Sequence, residues 1–227
     1  MFRRLFSDIP LFYNIYFHLI RKHRGMRPRY FTSETNIYYD GYQRSGNTYL
    51  GHLIKKCFPQ LVEVHHLHKI APLKIALRND ISTFILIRAP EEAISSNYLK
   101  HYAPKGVIPE EINFKLLNRM TSDYYHYYNF VFKNQKKMKI IKFNKLINSP
   151  VNIVKMVGKN MNIELNNGNS ITRRVKKASA SYSGSTTKYG SSKPNVYKER
   201  EKDKIKKDLP TTKNYKQVKK VYQKITN

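Results

Sequence analysis

The sequence has a single cysteine, Cys57, and few acidic residues. One cysteine excludes a disulfide within the chain and is typical of a reducing compartment, so we expect a cytoplasmic protein. Only 15 Asp and Glu residues stand against 43 Lys and Arg, which gives a formal net charge of +28 at pH 7. Such a charge favours a nucleic acid, a polyanionic glycan, a membrane surface or a phosphorylated cofactor as partner. A general bias of the chain toward Lys, Asn, Ile and Tyr is the alternative.

The sequence also lacks a long hydrophobic run near its N-terminus. The apolar stretch IPLFYNIYFHLI at 9–20 contains Asn14 and His18, whereas a membrane-spanning helix needs about 20 apolar residues. No small-residue cleavage site follows it, and the basic run RKHRGMRPR comes instead. We therefore expect residues 1–30 to form a basic, helical N-terminal segment that packs on the domain. Peripheral contact with an anionic membrane is the alternative.

Strand and helix patterns alternate through the middle of the chain. Strand patterns occur at NIYYDGY, LVEVHH, STFILIR and MKIIKF, and helical patterns separate them. STFILIR is an almost continuous apolar run, as expected for a strand buried on both faces. This alternation predicts an α/β fold, a three-layer sandwich with a central parallel sheet. We expect a core at 31–165, followed at 166–227 by a Gly/Ser-rich loop and basic C-terminal helices that complete or flank the domain.

The segment YYDGYQRSGNTYLGHLI at 38–54 is nearly a phosphate-binding P-loop, but it lacks the lysine. Gly41 and Gly46 have the G-x-x-x-x-G spacing, Thr48 supplies the hydroxyl, and Asn47 stands where the lysine should be. The glycines let backbone N–H groups converge, and the next helix presents its positive end. The segment therefore predicts a site for a terminal phosphate or sulfate.

A second motif follows the buried strand STFILIR, which ends in Arg88. P-loop proteins that use ATP or GTP normally carry an Asp there, which positions Mg²⁺. An arginine repels Mg²⁺ and attracts a second phosphate, and Ser96 lies two helical turns further on. The two motifs predict a site for a metal-free nucleotide with phosphates at both ends. We also expect no metal at His65, His66 and His68, since no carboxylate or thiol joins them at ligand spacing.

These motifs resemble those of a known enzyme family. YQRSGNTYL is similar to the 5′-phosphosulfate-binding loop of sulfotransferases that use 3′-phosphoadenosine 5′-phosphosulfate (PAPS). RAPEEAISSNYL is similar to their 3′-phosphate-binding segment, and VHHLHKI to the stretch that supplies their general base. KIIKFNKLINSP resembles the strand and turn that follow. The resemblance covers roughly 36–161 and implies a P-loop-type nucleotide-binding fold, PAPS as sulfonate donor and no metal.

The resemblance also implies roles for individual residues. The 5′-phosphosulfate would be held by Arg44, Ser45, Gly46, Asn47, Thr48 and Tyr49, and the 3′-phosphate by Arg88 and Ser96. Many family members have Lys where Arg44 stands, although carbohydrate-acting branches often have Arg. No counterpart of the family's C-terminal Arg-Lys-Gly loop is evident, and Lys193 is the candidate for its role.

The chemistry of sulfonate transfer favours a histidine base. A neutral histidine can take the acceptor's proton at neutral pH; His66 fits the register best, His68 comes next, and Glu63 follows if neither serves. Arg44 is too basic to act as an acid, but it can stabilise the developing charge.

We therefore expect a PAPS-dependent sulfotransferase. Its acceptor is expected to be a hydroxyl, on a carbohydrate or other hydroxyl compound, with no specific nucleic-acid partner. A P-loop kinase or NTPase, or a basic nucleic-acid-binding protein whose affinity falls steeply with salt, are the alternatives.

Overall fold

The computed structural model describes residues 8–15, 31–102, 110–164, 168–182 and 196–227. Lys193 and most of the predicted N-terminal segment lie outside these ranges. The core of the structure is a sheet of four parallel strands, β1 (Ile37–Gly41), β2 (Glu63–His65), β3 (Ser82–Ile87) and β4 (Lys139–Lys142). Their order across the sheet is β2-β1-β3-β4. All of β1 and most of β3 are buried, which confirms the predicted parallel sheet and explains the continuous apolar pattern of STFILIR.

Helices connect and cover these strands. In chain order they are α1 (Pro10–Ile15), α2 (Asn47–Cys57), α3 (Ile70–Arg78), α4 (Pro90–Tyr102), α5 (Phe114–Asn134), α6 (Phe143–Asn148), α7 (Pro150–Asn160), α8 (Gly168–Ser181), α9 (Val196–Asp208) and α10 (Tyr215–Thr226). Short 3₁₀ turns occupy Gln135–Lys137 and Leu209–Thr211. Local signals explain several helix starts, because proline suits the first turn of α4 and α7. The Asn113 side chain accepts a hydrogen bond from the Leu116 N–H and caps α5.

Helices lie on both faces of the sheet and give the predicted three-layer sandwich. One apolar cluster joins Tyr38 and Ile85 of the sheet to α3, α4, α5 and the C-terminal helices α9 and α10. The second joins Tyr39 and Phe84 to α2, α7 and α8. The described C-terminal helices therefore pack on the same core as the strands. The division of the chain into segments at 30 and 165 stays a prediction.

Helix α1 is short and partly exposed. Leu11 and Ile15 face solvent, and Tyr13 is buried. Within the described residues, no helix is long and apolar enough to cross a membrane.

Candidate active site

The loops at the carboxyl edge of the sheet border a cavity of about 690 Å³. The carboxyl ends of parallel strands meet at one edge, so the segments after β1, β2, β3 and β4 all reach this cavity. Helices α8 and α9 complete its wall. Its lining includes the charged and polar residues Arg44, Thr48, His66, His68, Arg88 and Lys198.

The loop between β1 and α2 needs its two glycines. Gly46 has φ of 98°, a left-handed conformation, and a β-carbon on it would lie 3.0 Å from the Phe143 ring. A β-carbon on Gly41 would lie 2.4 Å from the carbonyl oxygen of Leu86, its partner on β3. These close approaches let the loop turn tightly into α2, whose N-terminus faces the cavity.

Three other residues of the cavity also have left-handed backbone conformations. Arg44, His66 and His68 have φ values of 68°, 60° and 51°. Side chains disfavour this region, and such strain persists only where surrounding contacts impose it. The two loops that carry the predicted catalytic residues are therefore held in place by the packing around them.

Arg44 and Arg88 line the cavity side by side. Arg88 Nη1 donates to the Arg44 carbonyl oxygen over 3.1 Å, and its guanidinium stacks over the Phe143 ring at 4.3 Å. Arg44 Nε donates to Ser96 Oγ over 3.1 Å. Burial and then the charge of Arg88 lower the pKa of Arg44. Burial also lowers the pKa of Arg88, despite its ion pair with Glu92 at 3.2 Å.

Helix α9 brings further cations to the same place. Lys198 is 5% exposed, and burial, followed by the charges of Arg44 and Lys202, lowers its pKa to about 8. Lys202 is 2% exposed and forms ion pairs with Glu92 at 2.6 Å and Glu199 at 2.7 Å. The Glu92 carboxylate thus pairs with three cations, Arg88, Lys202 and Lys206. Helix α9 is therefore fixed against the segment that follows β3.

Sequence reasoning missed Lys198 and Lys202, because a basic C-terminal helix most often has a solvated face. A signal was present, however. Lys198, Lys202 and Ile205 are spaced i, i+4 and i+7, so they share one helix face, and Ile205 is 1% exposed. The apolar Ile205 marks that face as the inward one.

The remaining P-loop side chains point in different directions. Ser45 is buried, its Oγ lies 3.3 Å from the Tyr128 hydroxyl, and it does not line the cavity. Asn47 donates from Nδ2 to the Tyr42 carbonyl over 3.3 Å, and its buried Oδ1 has no hydrogen-bond partner among the described residues. Thr48 and Tyr49 face the cavity, and the Tyr49 hydroxyl contacts Ser179 of α8 at 2.7 Å.

The histidines of the β2–α3 segment have different partners. His65 stacks on Tyr39 and lies 3.5 Å from the Glu63 carboxylate, away from the cavity lining. His66 Nε2 lies 2.9 Å from Thr48 Oγ1, and its Nδ1 contacts His65 Nδ1. His68 Nδ1 lies 2.7 Å from the Gly41 carbonyl oxygen and 3.0 Å from Asp40 Oδ1.

Asp40, near the end of β1, is the buried anion of the site. It is fully buried and accepts from the backbone N–H groups of Gly41, Leu67 and His68 over 2.9, 3.1 and 2.6 Å. Burial alone would raise its pKa, but His68 and these hydrogen bonds outweigh burial and lower it. A charged residue inside the apolar strand pattern IYYDGY was the sequence signal for this role.

The structure brings most of the predicted site residues to one cavity. Those that line it are Arg44, Gly46, Asn47, Thr48, Tyr49, His66, His68 and Arg88. Ser45 and Ser96 lie behind them and are buried, so contact of their hydroxyls with a ligand stays a prediction. Among the described residues, no group of three His, Cys, Asp or Glu side chains is arranged to hold a metal ion.

Comparison with known proteins shows the fold. No family model and no curated protein matches the chain. Among solved structures, the chain is similar to mouse sulfotransferase SULT7A1, whose crystal structure was determined in complex with PAP. The match has a TM-score of 0.50 and 12% identity, and it covers 83% of this chain and 89% of the mouse chain. The chain therefore has a sulfotransferase-type fold.

Proposed function

We propose that the protein transfers a sulfonate group from PAPS to an acceptor hydroxyl. The observation that carries this proposal is the cluster of one buried and two partly buried cations at the P-loop. Arg44, Arg88 and Lys198 share one cavity, and the pKa of each is lowered, first by burial. Like charges held together in a partly desolvated cavity favour an anionic ligand, which relieves both their repulsion and their lost hydration.

The donors of the cavity fit a nucleotide with anionic groups at both ends. The N-terminus of α2 and the Thr48 hydroxyl suit the phosphosulfate, while Arg88 and Lys198 suit a second phosphate. Tyr49, Phe143 and Tyr182 line the same cavity and offer aromatic faces to a base. A volume of about 690 Å³ is within the range of ligand pockets, roughly 300–1,000 Å³.

The proposed reaction is an in-line displacement at sulfur. The acceptor oxygen forms a bond to sulfur, and the bond from sulfur to the 5′-phosphate oxygen breaks. The electron pair of that bond leaves with the phosphate, so negative charge grows beside Arg44, which stabilises it. The acceptor's proton passes to a histidine, His66 or His68. Asn47 replaces the P-loop lysine, and the leaving bisphosphate is stable as an anion without a proton donor.

We propose a carbohydrate hydroxyl as the acceptor. A polar groove adjoins the cavity, and Gln43 and His68 line both. Asn97, Asp123 and His126 also line the groove. Amide, carboxylate and imidazole groups can donate to and accept from several hydroxyls at once, as sugar binding needs.

Ligand binding tests the donor. Adenosine 3′,5′-bisphosphate (PAP) should raise the melting temperature of the protein far more than ATP with Mg²⁺. In calorimetry, Arg88→Ala should weaken PAP binding strongly and adenosine 5′-phosphate binding much less, because only PAP carries the 3′-phosphate. Arg78→Ala, an exposed arginine at the end of α3, is the control of equal charge. Equal losses for both nucleotides would refute the assignment of Arg88, and stabilisation by ATP alone would favour a P-loop kinase.

We further propose that the protein works in the cytoplasm, with peripheral membrane contact through α1. The support is a single buried cysteine and the exposed Leu11 and Ile15, which precede the basic run at 21–29. Co-flotation with anionic but not with neutral vesicles would support the membrane contact. If the protein floats with neither kind of vesicle, the proposed membrane contact is refuted.

A further inference from the structure

We propose that Asp40 is a positioning residue that fixes His68, and not His66, as the group that takes the acceptor's proton. This inference rests on the proposed sulfonate transfer, but part of its test needs no turnover. It departs from the sequence interpretation, which favours His66 by register and does not include Asp40.

The hydrogen-bond partners of His68 determine which ring nitrogen carries the hydrogen. Nδ1 faces two oxygens that can only accept, the Gly41 carbonyl at 2.7 Å and Asp40 Oδ1 at 3.0 Å. Nδ1 must therefore carry the hydrogen, and in the neutral ring Nε2 then has a free electron pair. The ring lines both the cationic cavity and the polar groove. The ring therefore lies between the cavity proposed for PAPS and the groove proposed for the acceptor, which is where a general base must lie.

His66 lacks this arrangement. Its Nε2 lies 2.9 Å from the Thr48 hydroxyl, and its Nδ1 contacts the ring of His65. Both nitrogens are thus engaged with neighbouring side chains. His66 instead holds the Thr48 side chain at the start of α2.

Asp40 is hydrogen-bonded to the backbone of the β2–α3 segment, so a movement of its carboxylate would disturb that segment. Besides His68, it accepts from three backbone N–H groups and from the Tyr38 hydroxyl at 3.0 Å. These contacts hold the β2–α3 segment in its left-handed conformation at His68, with φ of 51°. The carboxylate therefore fixes the backbone, the ring orientation and the tautomer of His68 together.

The charged groups around His68 set the pH at which it can act. Asp40 faces it from β1, Lys100 acts on it from α4, and His66 lies beside it in its own segment. Asp8, Asp123 and His126 line the adjoining groove. Burial lowers the pKa of His68, but Asp40 outweighs burial, so the pKa lies above its ordinary value of 6.5. Turnover should rise with pH as His68 loses its proton.

The proposed step is balanced without a further reactant. The acceptor hydroxyl gives its proton to His68 Nε2, while its oxygen forms the bond to sulfur. The sulfur–oxygen bond to the 5′-phosphate breaks, and the electron pair stays on PAP. The imidazolium formed is stabilised by Asp40, which stays ionised, and it later releases the proton to water.

The test compares Asp40→Asn with Tyr38→Phe. The asparagine can present an N–H to His68 Nδ1, which moves the ring hydrogen to Nε2 and removes the base. We expect kcat to fall by roughly 10²–10⁴ and the acid limb of any residual activity to shift to lower pH. PAP affinity should change little. Tyr38→Phe removes another contact of the same carboxylate without changing the tautomer, so it should keep the wild-type pH profile.

Nitrogen-15 NMR of the wild-type imidazole rings gives an independent readout. Above the pKa of His68, its signal, identified by its loss in His68→Gln, should show hydrogen on Nδ1 and none on Nε2. The opposite tautomer would overturn the proposal even if Asp40→Asn fails to fold. Equal losses in Asp40→Asn and Tyr38→Phe without a pH shift would also overturn it, because Asp40 would then be purely structural. A protein that shows the expected tautomer but neither binds PAP nor transfers sulfonate would refute the proposed function instead.

Discussion

The cavity has two halves that come from different parts of the chain. One half consists of the segments after the four strands, and it carries Arg44, Arg88, His66 and His68. The other half consists of the ends of α8 and α9, more than 100 residues after Arg44 in the chain, with Ser179, Tyr182 and Lys198. The first half has strained backbone and short motifs, whereas the second has regular helices. In the proposed sulfonate transfer, the first half would perform the chemistry and the second would close the site around PAPS.

The largest effect should come from the first half. His68→Ala should lower kcat by roughly 10²–10⁴, the usual range for a lost general base. His66→Ala should cost much less, because it removes a contact to Thr48 and leaves the Asp40–His68 pair intact. Steady-state kinetics with labelled PAPS measures both. PAP affinity is the control and should be nearly unchanged in His68→Ala. The reverse order of the two losses would identify His66 as the base, and no loss in either variant would refute a histidine base. Glu63, the carboxylate considered from the sequence, accepts from the Tyr39 hydroxyl and does not line the cavity.

A smaller effect, with a distinct pH dependence, is expected from Lys198 in the second half. Its pKa is lowered to about 8, so the side chain is charged below that pH and neutral above it. PAP affinity should therefore fall as pH rises above about 8, by about tenfold for one lost charge-assisted contact. In Lys198→Arg the side chain stays charged throughout this pH range, so PAP affinity should no longer fall as pH rises. Calorimetry with PAP between neutral and alkaline pH measures the affinity of both proteins. Identical pH trends in both proteins would mean that Lys198 does not contact the nucleotide.

The smallest effect should come from the ion pairs that hold α9. Lys202→Ala removes a buried cation that pairs with both Glu92 and Glu199, although Arg88 and Lys206 remain paired with Glu92. We therefore expect a loss of about 1–2 kcal/mol in the free energy of unfolding. Lys204→Ala is the matched control, because this lysine is 55% exposed and, in the part of the chain that the structure describes, its ion pair is with Glu201. It should cost less than about 0.5 kcal/mol. Urea unfolding measures both, and equal losses would mean that the buried pairs do not anchor α9.

Much of the first half could be predicted from the sequence because its geometry is local. Gly41 and Gly46 indicate a tight turn, and the apolar run before Arg88 indicates a buried strand. The edge of a parallel sheet then brings the two segments together. The directions of individual side chains were harder to predict. Ser45 faces Tyr128 and Ser96 accepts from Arg44, because each fills a polar gap between elements that are distant in sequence.

The sequence by itself determined the order of strands and helices along the chain, the tight glycine turn after β1 and the cationic residue at the end of β3. These depend on backbone conformation and on apolar spacing over a few residues. Only the tertiary structure decided that Asp40 pairs with His68, and that Lys198 and Lys202 are buried beside Arg88. Burial makes the difference, since a charge removed from water must find a partner, and a segment's own sequence does not show which distant segment supplies it.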